Sequence, residues 1–195
     1  MRKFVALVIG LLFLSSCRLL SYDDLNPTIQ PNNRLLPILE IKPDYASIRA
    51  VYNERKDIRV ADAVNIFTKE VRENIMEQTG KKKGIITMRI NFEGVTMCKL
   101  CRISPFLFNL PPLIGLPANY FDQKLEIEVL ILNKRRDVIR RYTESVSDTE
   151  YVALYWGYAA DAAWRKVAAE NMKSAMIKIR QKINNEAPQI RAELK

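Results

Sequence analysis

Two segments joined by a short basic turn limit the possible folds of this chain more than any other feature. In the first segment every second residue is apolar, at Leu125, Ile127, Val129 and Ile131. The basic turn at residues 133–137 follows, and residues 138–146 can return as the partner strand. A period of two places alternate side chains on one sheet face, so the pattern predicts a β-hairpin with one buried face. We therefore expect a mostly antiparallel sheet.

Two further strands and a helix are predicted ahead of this hairpin. The apolar run at residues 35–41 predicts a first strand, with Pro37 favouring an edge position. Apolar residues at helical spacing between Val60 and Ile75 predict an amphipathic helix that ends at Gly80. Alternation at residues 86–92 then predicts another strand, which stops at Glu93 and Gly94.

A long amphipathic helix is predicted after the hairpin. Ser147 and Glu150 have capping-box spacing, and an apolar stripe runs from Trp156 to Ile183 and ends near Asn184. The complete order predicts an α+β fold with a mostly antiparallel sheet of about four strands and two helices packed on one face.

The first residues have the features of an export signal. Met1 is followed by two basic residues and by an apolar run at residues 4–14 that is too short to span a bilayer. The next four residues, Leu14-Ser15-Ser16-Cys17, resemble the lipobox of bacterial lipoproteins. In that family the cysteine thiol receives a diacylglycerol and becomes the first residue of the mature protein. An ordinary secretory signal with a coincidental cysteine, or an uncleaved anchor, is the alternative.

The lipobox resemblance implies how the protein is held and where. Fatty acyl chains such as palmitate on Cys17 would anchor the protein to a membrane at its periplasmic face, because two or three chains bind firmly. Arg18 stands where an aspartate would favour the inner membrane in enteric bacteria, so the resemblance implies the outer membrane, with inner-membrane anchoring as the other possibility.

Four regions are predicted along the chain. They are a signal peptide at residues 1–16, a tether at 17–33, an α+β domain at 34–186 and a tail at 187–195. The element order of the domain, together with the lipobox, is similar to small envelope lipoproteins of the TolB amino-terminal-domain and curli-secretion-lipoprotein type. No functional residue can be carried over from that resemblance.

Composition excludes several classes of chemistry. The chain contains no histidine, which removes the commonest general base and the commonest zinc ligand. It also lacks a Gly-rich phosphate loop, so we expect no catalytic residue, cofactor or metal. After cleavage 29 Lys and Arg oppose 22 Asp and Glu, a net charge of +7. For an exported protein this charge suggests anionic lipid, an acidic protein face or cell-wall polymer rather than nucleic acid.

Cys98 and Cys101 have C-x-x-C spacing. Zinc would need more ligands than these two thiols once Cys17 is lipidated. Cysteines this close normally oxidise outside the cytoplasm, which favours a structural disulfide. The alternative is a thiol-disulfide oxidoreductase that uses both cysteines.

Residues 103–117 form an apolar segment with four prolines that fits neither a regular helix nor a central strand. Its side chains either pack under the domain's own helices or form an exposed patch that contacts a partner or lipid. The candidate interface residues are Phe106, Phe108, Leu110, Leu113 and Ile114.

These features together predict a non-catalytic, lipid-anchored envelope lipoprotein. We expect it to act as an accessory or assembly subunit that binds another envelope component. The other hypotheses are the oxidoreductase and a carrier of an apolar ligand between the sheet and the helices.

Overall fold

The computed structural model describes residues 26, 36–51, 56–97, 119–152 and 160–194. Within them lie four strands, three α-helices and a π-helical turn. In chain order these are β1 (Leu39–Ile41), α1 (Tyr45–Val51), α2 (Lys56–Glu70) with its π-helical continuation (Val71–Ile75), β2 (Gly84–Met97), β3 (Asn119–Asn133), β4 (Val138–Val152) and α3 (Ala160–Glu193).

The strands form one mixed sheet in the order β1-β2-β3-β4. β2, β3 and β4 are antiparallel neighbours, whereas β1 pairs with β2 in parallel. An isolated parallel bridge between Leu36 and Met76 lies outside these strands. The α+β prediction therefore needs correction in two respects: the sheet is mixed, and three helices accompany it instead of two. The parallel pair was missed because it spans only three residues.

One face of the sheet and the helices share the hydrophobic core. α3 contacts β3, β4 and α2, so it lies across the sheet beside the earlier helix. The alternating residues of the hairpin and the helical stripe enter this core as predicted. Its largest side chains include Phe67, Ile75, Met88, Leu125, Ile127 and Ile131.

Helix α1 covers part of the free edge of β2 beyond the short β1. The Asp44 N–H donates to the Met88 carbonyl at 2.9 Å, and the Ile90 N–H donates to Ser47 Oγ at 3.4 Å. Ile48 is fully buried on the inner side of α1. Hydrogen bonds of this kind satisfy edge groups that would otherwise be open to another strand.

Strand β4 is longer than the sequence predicts. Ser147 pairs with Lys124 and Glu150 pairs with Phe121, so the expected capping box lies inside the strand. Helix α3 begins only at Ala160. Strand β2 likewise continues through Glu93 and Gly94 to Met97. Cross-strand pairing with the early part of β3 therefore outweighs two sequence signals, the capping-box spacing of Ser147 and Glu150 and the predicted strand end at Glu93 and Gly94.

Helix α3 also ends later than predicted. It passes Asn184 and includes Pro188, whose ring removes one backbone donor inside the helix. Ala187, Ile190 and Leu194 are buried, and they extend the apolar stripe at spacings of three and four. The predicted helix end near Asn184 is therefore wrong, and residues 187–194 lie on the core instead of forming a separate tail.

Candidate interaction surface

The sheet face that points away from the helices carries the candidate surface. Alternation places Arg89, Glu126 and Arg141 on this face, and charged or hydroxyl side chains dominate it. Leu130 is an exception, because it is only 4% exposed among its cross-strand neighbours. Glu128, two residues before Leu130 on the same strand, forms an ion pair with Arg141, and 3.3 Å separates Glu128 Oε1 from Arg141 Nε.

A groove of about 320 Å³ lies where this face meets the segment after β1. Side chains from β2, β3, the β3–β4 turn and the segment between β1 and the first residue of α1 form it. The sheet contributes Ile85, Thr87 and Leu132. The segment after β1 contributes Pro43 and the half-exposed Tyr45. The charged members are Lys42, Asp44, Arg89 and Arg136. The groove thus combines apolar atoms with three cationic side chains and one carboxylate.

Asp44 is the one carboxylate among the residues that line the groove. Its Oδ2 accepts from Arg89 Nε at 3.1 Å, while its Oδ1 accepts from the Ser47 N–H at 3.3 Å at the start of α1. One carboxylate therefore caps a helix and fixes the guanidinium of β2. Among the ion pairs of the described residues, none includes Lys42 or Arg136.

The turn between β3 and β4 presents Arg136 in a strained conformation. Its φ is +70°, in the left-handed region that favours glycine or asparagine. Asn133 stabilises the turn, because its Oδ1 accepts from the N–H groups of Arg135 at 2.8 Å and Asp137 at 3.0 Å. Glycine would adopt this positive φ at a lower conformational free energy than arginine. The presence of a long cationic side chain here therefore favours a functional role.

Two buried polar clusters involve helix α3, one with α2 and the other with the sheet. In the first, Arg180 Nη1 of α3 donates to Glu70 Oε1 of α2 at 2.9 Å, and Asn74 Nδ2 donates to Glu70 Oε2 at 2.7 Å. Burial raises the pKa of Glu70, while Asn74 and Arg180 oppose that rise. Every polar atom of the Glu70 carboxylate has a donor, which is what a buried charge requires.

The second cluster joins α3 to β3 and β2. Asn171 Nδ2 donates to both the backbone and the side-chain oxygen of Gln123, each at 3.0 Å, and Gln123 Nε2 donates to Glu93. Burial raises the pKa of Glu93, and the Gln123 hydrogen bond and the charge of Arg59 oppose that rise. This arrangement satisfies polar groups that the helix and the two strands bury between them.

An aromatic contact adjoins that cluster. Phe121 meets the Trp164 ring edge-on, with ring centroids 5.1 Å apart, and the Arg59 guanidinium lies 4.3 Å from the centre of the Trp164 ring. The space between α2 and α3 nearby, lined by Ile66, Met172 and others, is only about 10 Å³. That volume is about one water molecule and is too small for an acyl chain.

The sites predicted from the sequence all lie outside the described residues. They are Cys17, Cys98, Cys101, Phe106, Phe108, Leu110, Leu113 and Ile114. The groove was missed because its members come from separate segments. The available signal was the run of basic residues at 134–136 in the hairpin turn.

In the part of the chain that the structure describes, no helix is long and apolar enough to cross a membrane. The same residues contain no group of three or more Cys, Asp or Glu side chains arranged to hold a metal ion.

Comparisons with known proteins identify no family for this chain. No protein-family model matches it, and no curated protein matches it. Among solved structures, a crystal structure of a candidate lipoprotein from Caulobacter crescentus CB15 is similar to it at 14% sequence identity. The similarity covers 74% of this chain and 95% of the other, with a TM-score of 0.38.

Proposed function

We propose that this protein is a non-catalytic lipoprotein of the bacterial envelope, anchored through acyl chains on Cys17, that binds another envelope protein as an accessory or assembly subunit. The sequence Leu14-Ser15-Ser16-Cys17 after a basic start and an apolar run supports the anchor. Arg18 after the cysteine supports the outer membrane over the inner one. The groove supports the binding role.

The single observation that carries the binding role is the composition of the groove. Ile85 and Leu132 offer apolar contact, and Lys42 and Arg136 lie beside them without an ion pair among the described residues. A volume of about 320 Å³ is at the small end of ligand sites and suits a few side chains. The occupant we propose is a segment of an envelope protein in which a carboxylate stands next to an aliphatic or aromatic side chain.

Charge complementarity explains that choice of occupant. A carboxylate entering the groove would meet two cations whose charge no described neighbour neutralises, whereas a cation would meet repulsion from three basic groups. The apolar neighbour of that carboxylate would cover Ile85 and Leu132 and remove their atoms from water. The hairpin turn already fixes the backbone around Arg136, so only the arginine side chain would lose freedom when it makes the charged contact.

The experiment is a comparison of groove and control variants in the native envelope. Lipidated wild type, Arg136→Glu and Lys124→Glu are purified from crosslinked envelopes, and the proteins retained with each are quantified by mass spectrometry. Lys124 is exposed on the same sheet face but is not part of the groove, so Lys124→Glu is the matched control. We expect one envelope protein to be retained by wild type and the control and lost with Arg136→Glu.

A second variant separates the groove from the turn conformation. Lys42→Glu reverses a charge that the segment after β1 contributes to the groove, without touching residues 133–137, and it should lose the same protein. If all variants retain the same proteins as wild type, the groove is not the binding site. Intact-mass analysis tests the anchor separately, since a mature protein without acyl mass on Cys17 would reject it.

A further inference from the structure

Three segments of the chain meet at one end of the sheet. Gly84 at the start of β2 pairs with Asn133 at the end of β3, and it also pairs with Leu39 at the start of β1. The Lys83 N–H donates to the Ile38 carbonyl at 2.8 Å. The residues before β2, the β3–β4 turn and the entry into β1 are therefore direct neighbours.

Five cations lie at this end, outside the groove. They belong to the segment before β2 and to the hairpin turn, and we call them the basic end: Lys81, Lys82, Lys83, Lys134 and Arg135. All are exposed except Lys83, which is half-buried. Among the described residues none of them forms an ion pair, in contrast to basic residues such as Arg140, Arg165 and Lys182, which do.

The carboxylates near the basic end have other partners. Asp137 Oδ2 accepts from Asn133 Nδ2 at 2.9 Å, Glu77 pairs with Arg191 at 3.6 Å, and Glu193 pairs with Arg140 at 2.8 Å. No described carboxylate forms an ion pair with the basic end, and the single charge of Asp137 does not balance its five cations. Like charges on neighbouring segments repel each other, so an external anion would relieve the repulsion.

The chain from Cys17 enters the described domain at the same end. Leu36 is fixed there, because its N–H donates to the Ile75 carbonyl at 3.1 Å and its carbonyl accepts from the Glu77 N–H at 2.9 Å. Residues 18–35 separate it from Cys17. Eighteen residues span at most about 60 Å when fully extended, so the basic end lies within reach of the membrane that would hold Cys17.

We propose that the basic end rests on anionic phospholipid head groups of the membrane that holds Cys17. This inference depends on the lipid anchor of the proposed function. Uncompensated cations, exposure and proximity to the chain entry all support it. Each cation close to an anionic surface strengthens membrane contact about fivefold, and the effect decays within about 10 Å at moderate salt.

Such contact would orient the domain as well as hold it. Arg136 follows Arg135 in the turn, so the groove opens next to the basic end. A domain resting on this end would keep the groove at a fixed height above the lipid surface. A partner segment that also lies near the membrane would then meet the groove in a restricted set of orientations, which lowers the entropy cost of binding.

The test is a lysine-acetylation footprint of the lipidated full-length mature protein. It is reconstituted into vesicles of phosphatidylcholine alone and into the same vesicles with phosphatidylglycerol added. We expect Lys81, Lys82 and Lys134 to react several-fold more slowly only on the anionic vesicles, and high salt to restore their reactivity. Lys124 and Lys178, which are exposed on other parts of the domain, should react equally on both.

A charge-reversed variant separates the surface from the anchor. Lys81→Glu combined with Lys82→Glu and Arg135→Glu should abolish the protection of Lys134, while the protein still floats with the vesicles through its acyl chains. Equal reactivity of Lys134 on neutral and anionic vesicles would overturn the inference. Protection in native envelopes but not on protein-free anionic vesicles would also overturn it, since an acidic protein would then be the cover.

The outcomes distinguish this inference from the proposed function. If the protein carries acyl mass on Cys17 and floats, but shows no anionic protection, the anchor stands and the basic-end contact fails. If the intact mass shows no acyl group, the proposed anchor fails and the inference that depends on it falls as well.

Discussion

Arg180 of α3 and Glu70 of α2 form an ion pair that is closed off from solvent. Nη1 of Arg180 lies 2.9 Å from Oε1 of Glu70, and the two side chains are 4% and 2% exposed. A pair this deeply buried gains little net stability over apolar residues, because both groups lost their hydration. Its structural effect is to set how α2 and α3 align, since either charge without the other would be unsatisfied in the core.

Removing one partner of this pair should therefore cost more than removing both. Arg180→Met leaves the Glu70 carboxylate without its cation and is expected to lower the free energy of unfolding by about 3–5 kcal/mol. Combining it with Glu70→Leu should recover most of that loss. Denaturant unfolding of the single and double variants measures the difference. Lys182→Met, which removes a half-exposed partner of Glu144, should change stability by less than about 1 kcal/mol.

Gly84 should tolerate no side chain. A Cβ built at this position would lie 2.2 Å from the Leu132 carbonyl oxygen and 2.8 Å from a methyl carbon of Leu194. The backbone oxygen cannot yield without separating β2 from β3, so Gly84→Ala is expected to destabilise the domain by at least about 1–3 kcal/mol. Thermal unfolding tests this. A melting temperature equal to that of wild type would contradict the close approach.

The pKa of Glu93 predicts a pH dependence of stability. Because burial raises its pKa in the folded state, the folded protein binds this proton more tightly than the unfolded chain. Stability from this group is therefore complete below the unfolded pKa and declines as pH rises through the window between the unfolded and folded values. Glu93→Gln should remove this decline and stabilise the protein at neutral pH.

Melting temperatures measured from mildly acidic to neutral pH test the Glu93 prediction. Wild type should lose stability relative to Glu93→Gln as pH rises. Glu40→Gln is the control, because its side chain is exposed on β1, and it should leave the pH dependence of wild type unchanged. Parallel curves for wild type and Glu93→Gln would show that Glu93 does not titrate in this window.

Cys98 and Cys101 are expected to be disulfide-bonded in protein purified without reductant. Alkylation of native envelopes followed by mass spectrometry measures the free thiols. Replacing both cysteines with serine should lower thermal stability, by about 2–3 kcal/mol at most for so short a loop, without stopping export. An exposed thiol that reacts rapidly at neutral pH would favour the oxidoreductase hypothesis instead.

Phe108 and Leu113 distinguish the two hypotheses for residues 103–117. If they belong to an interface, Phe108→Ser and Leu113→Ser should weaken association and change stability by less than about 0.5 kcal/mol. If they belong to the core, each change should cost about 2–5 kcal/mol, because it leaves a cavity and buries a hydroxyl. Melting temperature and partner retention, measured on the same samples, separate the cases.

The parts of the fold that follow from local periodicity could be predicted from the sequence. Leu125, Ile127 and Ile131 alternate because they share one face of β3, and Phe67 and Val71 recur along one side of a helix. Helix α1 escaped prediction because Ile48 is its one buried residue, which leaves no period to detect. Asp44 caps it locally, and the edge of β2 stabilises it through contacts distant in sequence.

The candidate surface was less accessible to prediction because it depends on strand register. Ile85 pairs with Leu132 across β2 and β3, and Arg89 meets Asp44 over 45 positions of chain. Neither pairing leaves a local pattern. The later end of α3 was different, since Ile183, Ala187, Ile190 and Leu194 continue the helical stripe; Pro188 and two asparagines obscured a signal that was present.

The contacts at Gly84 also bear on how the order of the chain segments in this domain could be changed. Leu39, near the beginning of the described domain, and Leu194, near its end, both approach this one glycine. A short linker could therefore join the two ends, and new termini could be opened elsewhere in a circular permutant. Because such a change alters loop-closure entropy far more than packing, the sheet and its helices should assemble from the rearranged chain order.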